Sequence, residues 1–174
     1  MSDLICELLD EKDPFLREVP DVFDFDSPQV DPEKLEKQLL ENMLYHRGYG
    51  LSANQIGIPF TVFAMMVDHD PLVVFNPEII EFSEETTYMK EGCLSYPGLY
   101  VAIERAYGVS TRFQLSQGEE QSGNFIELSA RIFQHESEHM DGDIFIDNVS
   151  GYRLKAAMRK RKKFLRQLKK QKKG

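Results

Sequence analysis

The stretch Gln134–Gly142, QHESEHMDG, decides the reading of this chain. His135 and His139 stand four residues apart with Glu136 between them, an HExxH pair. On a helix, positions i and i+4 share one face, so both imidazoles can reach one divalent metal while Glu136 lies beside its water. Gly142 follows at once and is a natural helix stop, so this helix is predicted to open at Leu128 or Ser129 and to end just before it. Two helical histidines and a glutamate also occur on plain solvated faces, and only a third ligand separates the two cases.

Upstream of this helix the chain is rich in short β-type runs: Phe60–Val67, Leu72–Phe75, Glu78–Phe82, Val101–Arg105, Val109–Leu115 and Asn124–Leu128, with a turn marked by Gly118. Most connections are too short for crossover helices, which favours antiparallel pairing. Asp31 before Pro32 is a cap followed by a helix-starting proline. Leu35, Leu39, Leu40, Met43 and Leu44 then recur at helical spacing, giving a first helix from Pro32 to about Arg47 that Gly48 and Gly50 end. A last helix is predicted from Ser150 or Gly151, with Leu154, Met158, Leu165 and Leu168 on one stripe. The class is α+β: antiparallel or mixed β-sheets around a central metal-binding helix, with an N-terminal and a C-terminal helix. Residues 1–150 make one catalytic domain and residues 151–174 a basic helical tail.

The third ligand is sought among the remaining side chains. A metzincin pattern requires a histidine three residues past Gly142, where Phe145 stands. A thermolysin-like set requires a later glutamate, and no acidic residue follows Asp147. His46 and His69 carry no supporting motif. Cys93 sits in EGCLSYPG, where Gly92 permits an unusual backbone and a thiolate can approach a metal. Cys93, His135 and His139 leave a fourth tetrahedral position open, the mark of a catalytic rather than a structural site.

The 174 residues fit one globular domain, with 41% hydrophobic and 29% charged residues. Neither a secretory leader nor an apolar run of about 18 residues is evident, so a cytoplasmic, non-membrane protein is expected. Only Cys6 and Cys93 are present, too few for a disulfide framework. The charge is sharply divided. All 29 acidic residues lie at or before Asp147, giving residues 1–152 a net −20, whereas twelve Lys and Arg between Arg153 and Lys173 give the tail +12. Such an arm suits an anionic partner, and it equally suits a solvated helix end that balances an acidic body.

Three motifs in order, GYGLSANQ (Gly48–Gln55), EGCLS (Glu91–Ser95) and QHESEH (Gln134–His139), resemble those of the peptide deformylases. DPFLR near the start, Asn76–Pro77, Arg105 and Ala130 extend the likeness from Asp13 to about Asp147. Two positions depart from the family pattern. Ser52 stands where alanine is usual, adding a hydroxyl that needs a partner, and Glu138 stands where aspartate is usual.

The resemblance implies hydrolysis of the formyl group from N-formylmethionyl nascent peptides. A metal on Cys93, His135 and His139 would acidify its water and polarise the formyl oxygen. Glu136 would act as general base and then acid. The side-chain amide of Gln55 and the backbone N–H of Leu94 would donate to the oxyanion. Gly50 would bar larger acyl groups, Ile132 would line the methionine pocket with Tyr49 and Met89 nearby, and Glu91 would hold the loop by bonding to Arg105. Ferrous iron is the metal the family implies, with zinc, nickel or cobalt able to replace it. The family also implies ribosome docking by a C-terminal helix, and the acid-free run of positive charge here suits ribosomal RNA contact through Arg159, Arg161, Lys162 and Arg166. A monomer is expected. Taken singly, Gln55 reads as a loop hydrogen-bonder, Gly50 as a helix C-cap, and Ile132, Tyr49 and Met89 as core packing. Two further classes stand beside this one: a metallopeptidase indifferent to the formyl group, and an RNA-binding protein with a structural metal, in which Glu136 and Gln55 would be dispensable.

Overall fold

A computed structural model describes residues 4–171, except for the side chains of residues 168, 170 and 171. In chain order the elements are α1 (Pro32–Tyr45), β1 (Gly50–Ser52), β2 (Val62–Val67), β3 (Asp70–Phe82), β4 (Thr86–Gly92), β5 (Tyr100–Ala106), β6 (Gly108–Gln114), β7 (Glu120–Ile126), α2 (Glu127–Met140) and α3 (Gly151–Gln171). The α+β class and the antiparallel pairing expected from sequence are found. Five strands form one antiparallel sheet in the order β1-β2-β3-β6-β7, and β4 pairs with β5 as a separate two-stranded ribbon.

The side-chain alternation of β2 explains the layering. Val62 and Ala64 point to one side with Val73 and Phe75 of β3, where Leu35, Leu39 and Met43 of α1 cover them. Phe63 and Met65 point to the other side with Val74, where Ala130, Ile132 and Phe133 of α2 cover them. A strand apolar on both faces must be buried twice, and these two helices do it. Beyond α2 the β4–β5 ribbon closes a third cluster containing Cys93, Val101, Ile144, Phe145 and Ala157. The central helix is therefore enclosed between sheet and ribbon, as the sequence led us to expect.

Several boundaries differ from the sequence reading. β1 and β4 were not predicted. β1 has three residues, too short for a period, and β4 (TTYMKEG) carries Lys90, Glu91 and Gly92, which speak against a strand. The two runs Leu72–Phe75 and Glu78–Phe82 are one strand interrupted by a register shift. Asn76 there takes a left-handed φ of 47°, and its side chain bonds the backbone of Phe23 and the Gln114 amide. α2 begins at Glu127, one residue early, and Glu127 itself has φ 53°. α1 stops at Tyr45 because Arg47, not a glycine, adopts the left-handed turn (φ 57°), with Gly48 N–H bonded to the Met43 carbonyl. Gly142 ends α2 as predicted, with φ 74°. A Cβ there would meet the Arg17 carbonyl oxygen at 2.7 Å, so glycine also permits the close approach of the N-terminal segment.

The last helix forms where predicted, but its inward face is offset. Ala157 and Arg161 are buried and Leu154 and Leu165 half-buried, whereas Met158 is 45% exposed. Positions 154, 157, 161 and 165 span as narrow an arc as the expected stripe, turned by about 20° toward 157 and 161. The side chain of Leu168 lies outside the described residues. No helix among the described residues is long and apolar enough to cross a membrane.

Candidate metal centre

α2 sets His135 and His139 one turn apart on the same face, and the loop leaving β4 brings Cys93 to them. Their donor atoms lie within 4.8 Å of one another, and all three residues are buried. Cys93 Sγ is 3.4 Å from His139 Nε2. In a tetrahedral site with metal–sulfur and metal–nitrogen bonds of about 2.3 and 2.1 Å, those atoms would be about 3.6 Å apart. The donor chemistry and spacing therefore fit one divalent cation.

His135 is oriented by a neighbouring carboxylate, whereas His139 Nδ1 has no hydrogen-bond partner among the described residues. His135 Nδ1 lies 3.1 Å from Glu91 Oε2, which leaves Nε2 for a metal. Glu91 also accepts from Arg105 at Nε (2.6 Å) and Nη2 (2.9 Å) and from Arg131. Arg105 in turn holds Glu138 in a two-bond pair (2.7 and 2.9 Å). The longer acid at position 138 thus still reaches its partner. Arg131 further bonds the Ile103 carbonyl and the carbonyl and hydroxyl of Thr87, riveting the ribbon that carries Cys93 to the helix that carries the histidines. Arg131 was not singled out from sequence, although a charged residue four before His135 in the run ARIFQHE was a usable signal. Phe145, which occupies the place of a metzincin's third histidine, packs its ring 5.4 Å from that of His135.

Burial works on the charges in opposite ways. It raises the Glu91 carboxyl, but the bonds from His135 and Arg105 outweigh it and hold the group down to about 2. It raises Glu136 to about 7, against the pull of His135 and the Ser52 hydroxyl. It lowers His139 to about 3, with the charge of His135 adding to the effect, so this ring is a neutral ligand. For His135 burial also opposes charge, yet Cys93 and Glu91 prevail and push it up to about 10. Metal binding would displace that proton.

Glu136 is buried, and its Oε2 has no partner among the described residues. Its Oε1 lies where a side chain on Gly50 would be: a Cβ built there meets Oε1 at 2.3 Å and Ile132 Cγ2 at 2.9 Å. Gly50, Ile132 and Glu136 are therefore brought together. Gln55 is buried and directs Nε2 to Cys93 Sγ (3.3 Å) and Ser95 Oγ (3.1 Å). Leu94 follows Cys93 and packs over Gly48. Tyr49 and Met89 are at the periphery, 66% and 43% exposed, with Met89 on the same side of β4 as Glu91. Core packing, the plain alternative for both, does not hold. Of the four basic residues named for RNA contact, Arg161 is taken out by burial: its Nε donates to the Pro97 carbonyl (3.0 Å), and it pairs with Glu11.

A family model for polypeptide deformylase matches residues 5–155. The chain belongs to the polypeptide deformylase family. Peptide deformylase of Thermotoga petrophila is 41% identical over 118 residues, covering 68% of this chain and 72% of that protein. That of Bartonella tribocorum is 38% identical over 160 residues, covering 87% and 88%. The solved structure of a peptide deformylase from Synechococcus elongatus in complex with actinonin superposes with a TM-score of 0.83 at 29% identity, over 92% of this chain and 88% of that one. The enclosed helix, the cysteine-bearing ribbon and the five-stranded sheet are thus those of a metal-dependent deformylase fold.

Proposed function

We propose that this chain hydrolyses the N-formyl group of N-formylmethionyl peptides, and the observation that carries the reading is the convergence of four parts on one point. Cys93, His135 and His139 would hold the cation, Glu136 is buried beside them, Gln55 Nε2 points at the Cys93 sulfur, and at Gly50 even a Cβ would collide with Glu136 and Ile132. Bound there, a divalent cation would supply an acidified water and an electrophile for the formyl oxygen.

The residues do the rest. Glu136, raised to about 7 by burial, is matched to accepting a proton from the attacking water near neutral pH and passing it to the leaving amine. Gln55 Nε2 and the Leu94 backbone N–H donate to the oxygen that gains charge as the carbonyl carbon becomes tetrahedral. The C–N bond then breaks, and formate and a free amino terminus leave. Gly50 restricts the acyl group to one hydrogen-bearing carbon. Ile132 lines the methionine side, and Tyr49 and Met89 flank the exposed path of the following residues. Glu91, with Arg105, sets the orientation of His135. Ferrous iron is the physiological metal of this reading, with zinc, nickel and cobalt as substitutes.

Residues 1–150 are the catalytic unit of a cytoplasmic monomer. The helix beyond them contacts ribosomal RNA through Arg159, Lys162 and Arg166, all exposed and free of acidic neighbours in sequence. A chain truncated after Ser150 should sediment with ribosomes at low salt less well than the intact chain, and equal sedimentation removes this role.

The test of the activity is formate release from an N-formylmethionyl tripeptide by anaerobically prepared, iron- or nickel-loaded protein, with Glu136→Ala beside it. Release that vanishes in the variant supports the reaction and the base together. No release from folded, loaded protein refutes both.

A further inference from the structure

Ser52 ends β1 and is completely buried. Its backbone N–H donates to Gln55 Oε1 (3.0 Å), and its hydroxyl lies 3.1 Å from the same oxygen and 2.8 Å from Asn54 Oδ1. A hydroxyl has one proton, so these two side-chain carbonyls share it, and the same hydroxyl also acts on the Glu136 carboxylate. Both amides are tied at their other ends. Asn54 Nδ2 donates to the His139 backbone carbonyl (3.1 Å), and Gln55 Nε2 donates to Ser95 Oγ and Cys93 Sγ. A continuous chain of bonds therefore joins the backbone of one metal ligand to the sulfur of another, with Ser52 at its middle.

That chain decides which way the Gln55 amide faces. Were it rotated by half a turn, its NH2 would oppose the Ser52 N–H, donor against donor. The hydroxyl adds a second hold on Oε1 and fixes Asn54 as well, which packs the turn 53–56 against the end of α2. A donor aimed before the reaction needs no reorganisation as charge develops, and its worth falls when it can swing. Alanine at position 52 would occupy nearly the same space and supply no proton.

We propose that Ser52 is a positioning residue for deformylation, whose hydroxyl acts through Gln55 by holding Oε1 so that Nε2 stays directed at the acyl oxygen. This inference rests on the proposed function for its kinetic consequence, while the orientation itself can be measured without turnover.

The experiment compares nickel-loaded wild type, Ser52→Ala, Gln55→Ala and the double variant in steady-state deformylation. Ser52→Ala should lower kcat on the order of tenfold, part of the 100- to 1000-fold that one whole oxyanion donor is worth, with KM within about twofold. In the Gln55→Ala background the same change should alter kcat less than about twofold, because the residue it acts through is gone. Ser52→Cys, which keeps volume and donates weakly, should recover part of the loss. Equal losses in both backgrounds overturn the proposal, as does an unchanged kcat in Ser52→Ala. The second measurement is hydrogen exchange of the Gln55 side-chain NH2 by NMR in the zinc-loaded protein. Faster exchange in Ser52→Ala supports the hold, and unchanged exchange refutes it. Should the wild type release no formate, the functional reading fails by itself, and the exchange result alone judges Ser52.

Discussion

Gly50→Ala tests the crowding at the reacting centre most directly. A Cβ at this position stands 2.3 Å from Glu136 Oε1 and 2.8 Å from its Cδ, with Ile132 Cγ2 at 2.9 Å. Ordinary contact begins near 3.4 Å, so the carboxylate must retreat by about 1 Å. The backbone offers no objection: φ at Gly50 is not in the left-handed region, and alanine fits an antiparallel strand. Crowding costs about 1–3 kcal/mol of stability, offset by about 0.4–1 kcal/mol from the stiffer unfolded chain. Chemistry has no such offset. Misplacing a catalytic group by 1 Å costs on the order of 100-fold, or about 2.7 kcal/mol in the barrier. The assay is kcat for formate release at matched metal content, with a thermal melt as the control for folding. We expect kcat about 100-fold down and Tm lowered by no more than about 10 °C. A variant that keeps kcat within about threefold refutes the claim that Glu136 and the Gly50 gap form one reacting centre.

Three further outcomes follow from the same geometry. Gln55→Ala should lower kcat about 100- to 1000-fold with a stability loss of only about 1–3 kcal/mol in urea titrations, and a rate within tenfold of wild type would remove it as an oxyanion donor. Glu91→Ala leaves Arg105, Arg131 and His135 facing each other without their common acceptor, so it should cost about 3–5 kcal/mol in stability and weaken metal retention about 10- to 100-fold, measured by competition with a chelator. Acid titration of the metal-free protein should show where Glu91 acts. Its carboxyl is held at about 2 in the fold against an ordinary 4.5, so its contribution is complete above 4.5 and is lost as pH falls through 2. The difference is of order 3 kcal/mol. Urea stabilities of wild type and Glu91→Gln should converge between pH 5 and 2, and a constant gap across that range would contradict the assignment.

What the sequence alone determined is what depends on short-range periodicity or on chemical type. The helix of QHESEH and its stop at Gly142 follow from spacing and from a left-handed turn that glycine adopts freely. The choice of Cys93 as third ligand follows from eliminating every histidine or late acid that another pattern would need. α1 is readable because its cap, proline and apolar stripe are local features. The tertiary structure decided everything that needs two distant segments to meet. β1 and β4 carry no strand signal of their own; β1 is a strand because β2 pairs with it, and β4 because β5 does. Arg131 is marked in the sequence only by its place four residues before His135, and its role appears when Thr87, Glu91 and Ile103 are folded onto it. Arg161 looks like part of a solvent-facing basic arm until Glu11 and Pro97 enclose it. The bonds of Ser52 to Asn54 and Gln55 are local, but what they position is set by packing: Asn54 reaches the His139 carbonyl and Gln55 reaches Cys93 and Ser95. A buried polar group is defined by its partners, and partners separated by tens of residues are set by packing, not by the order of the chain.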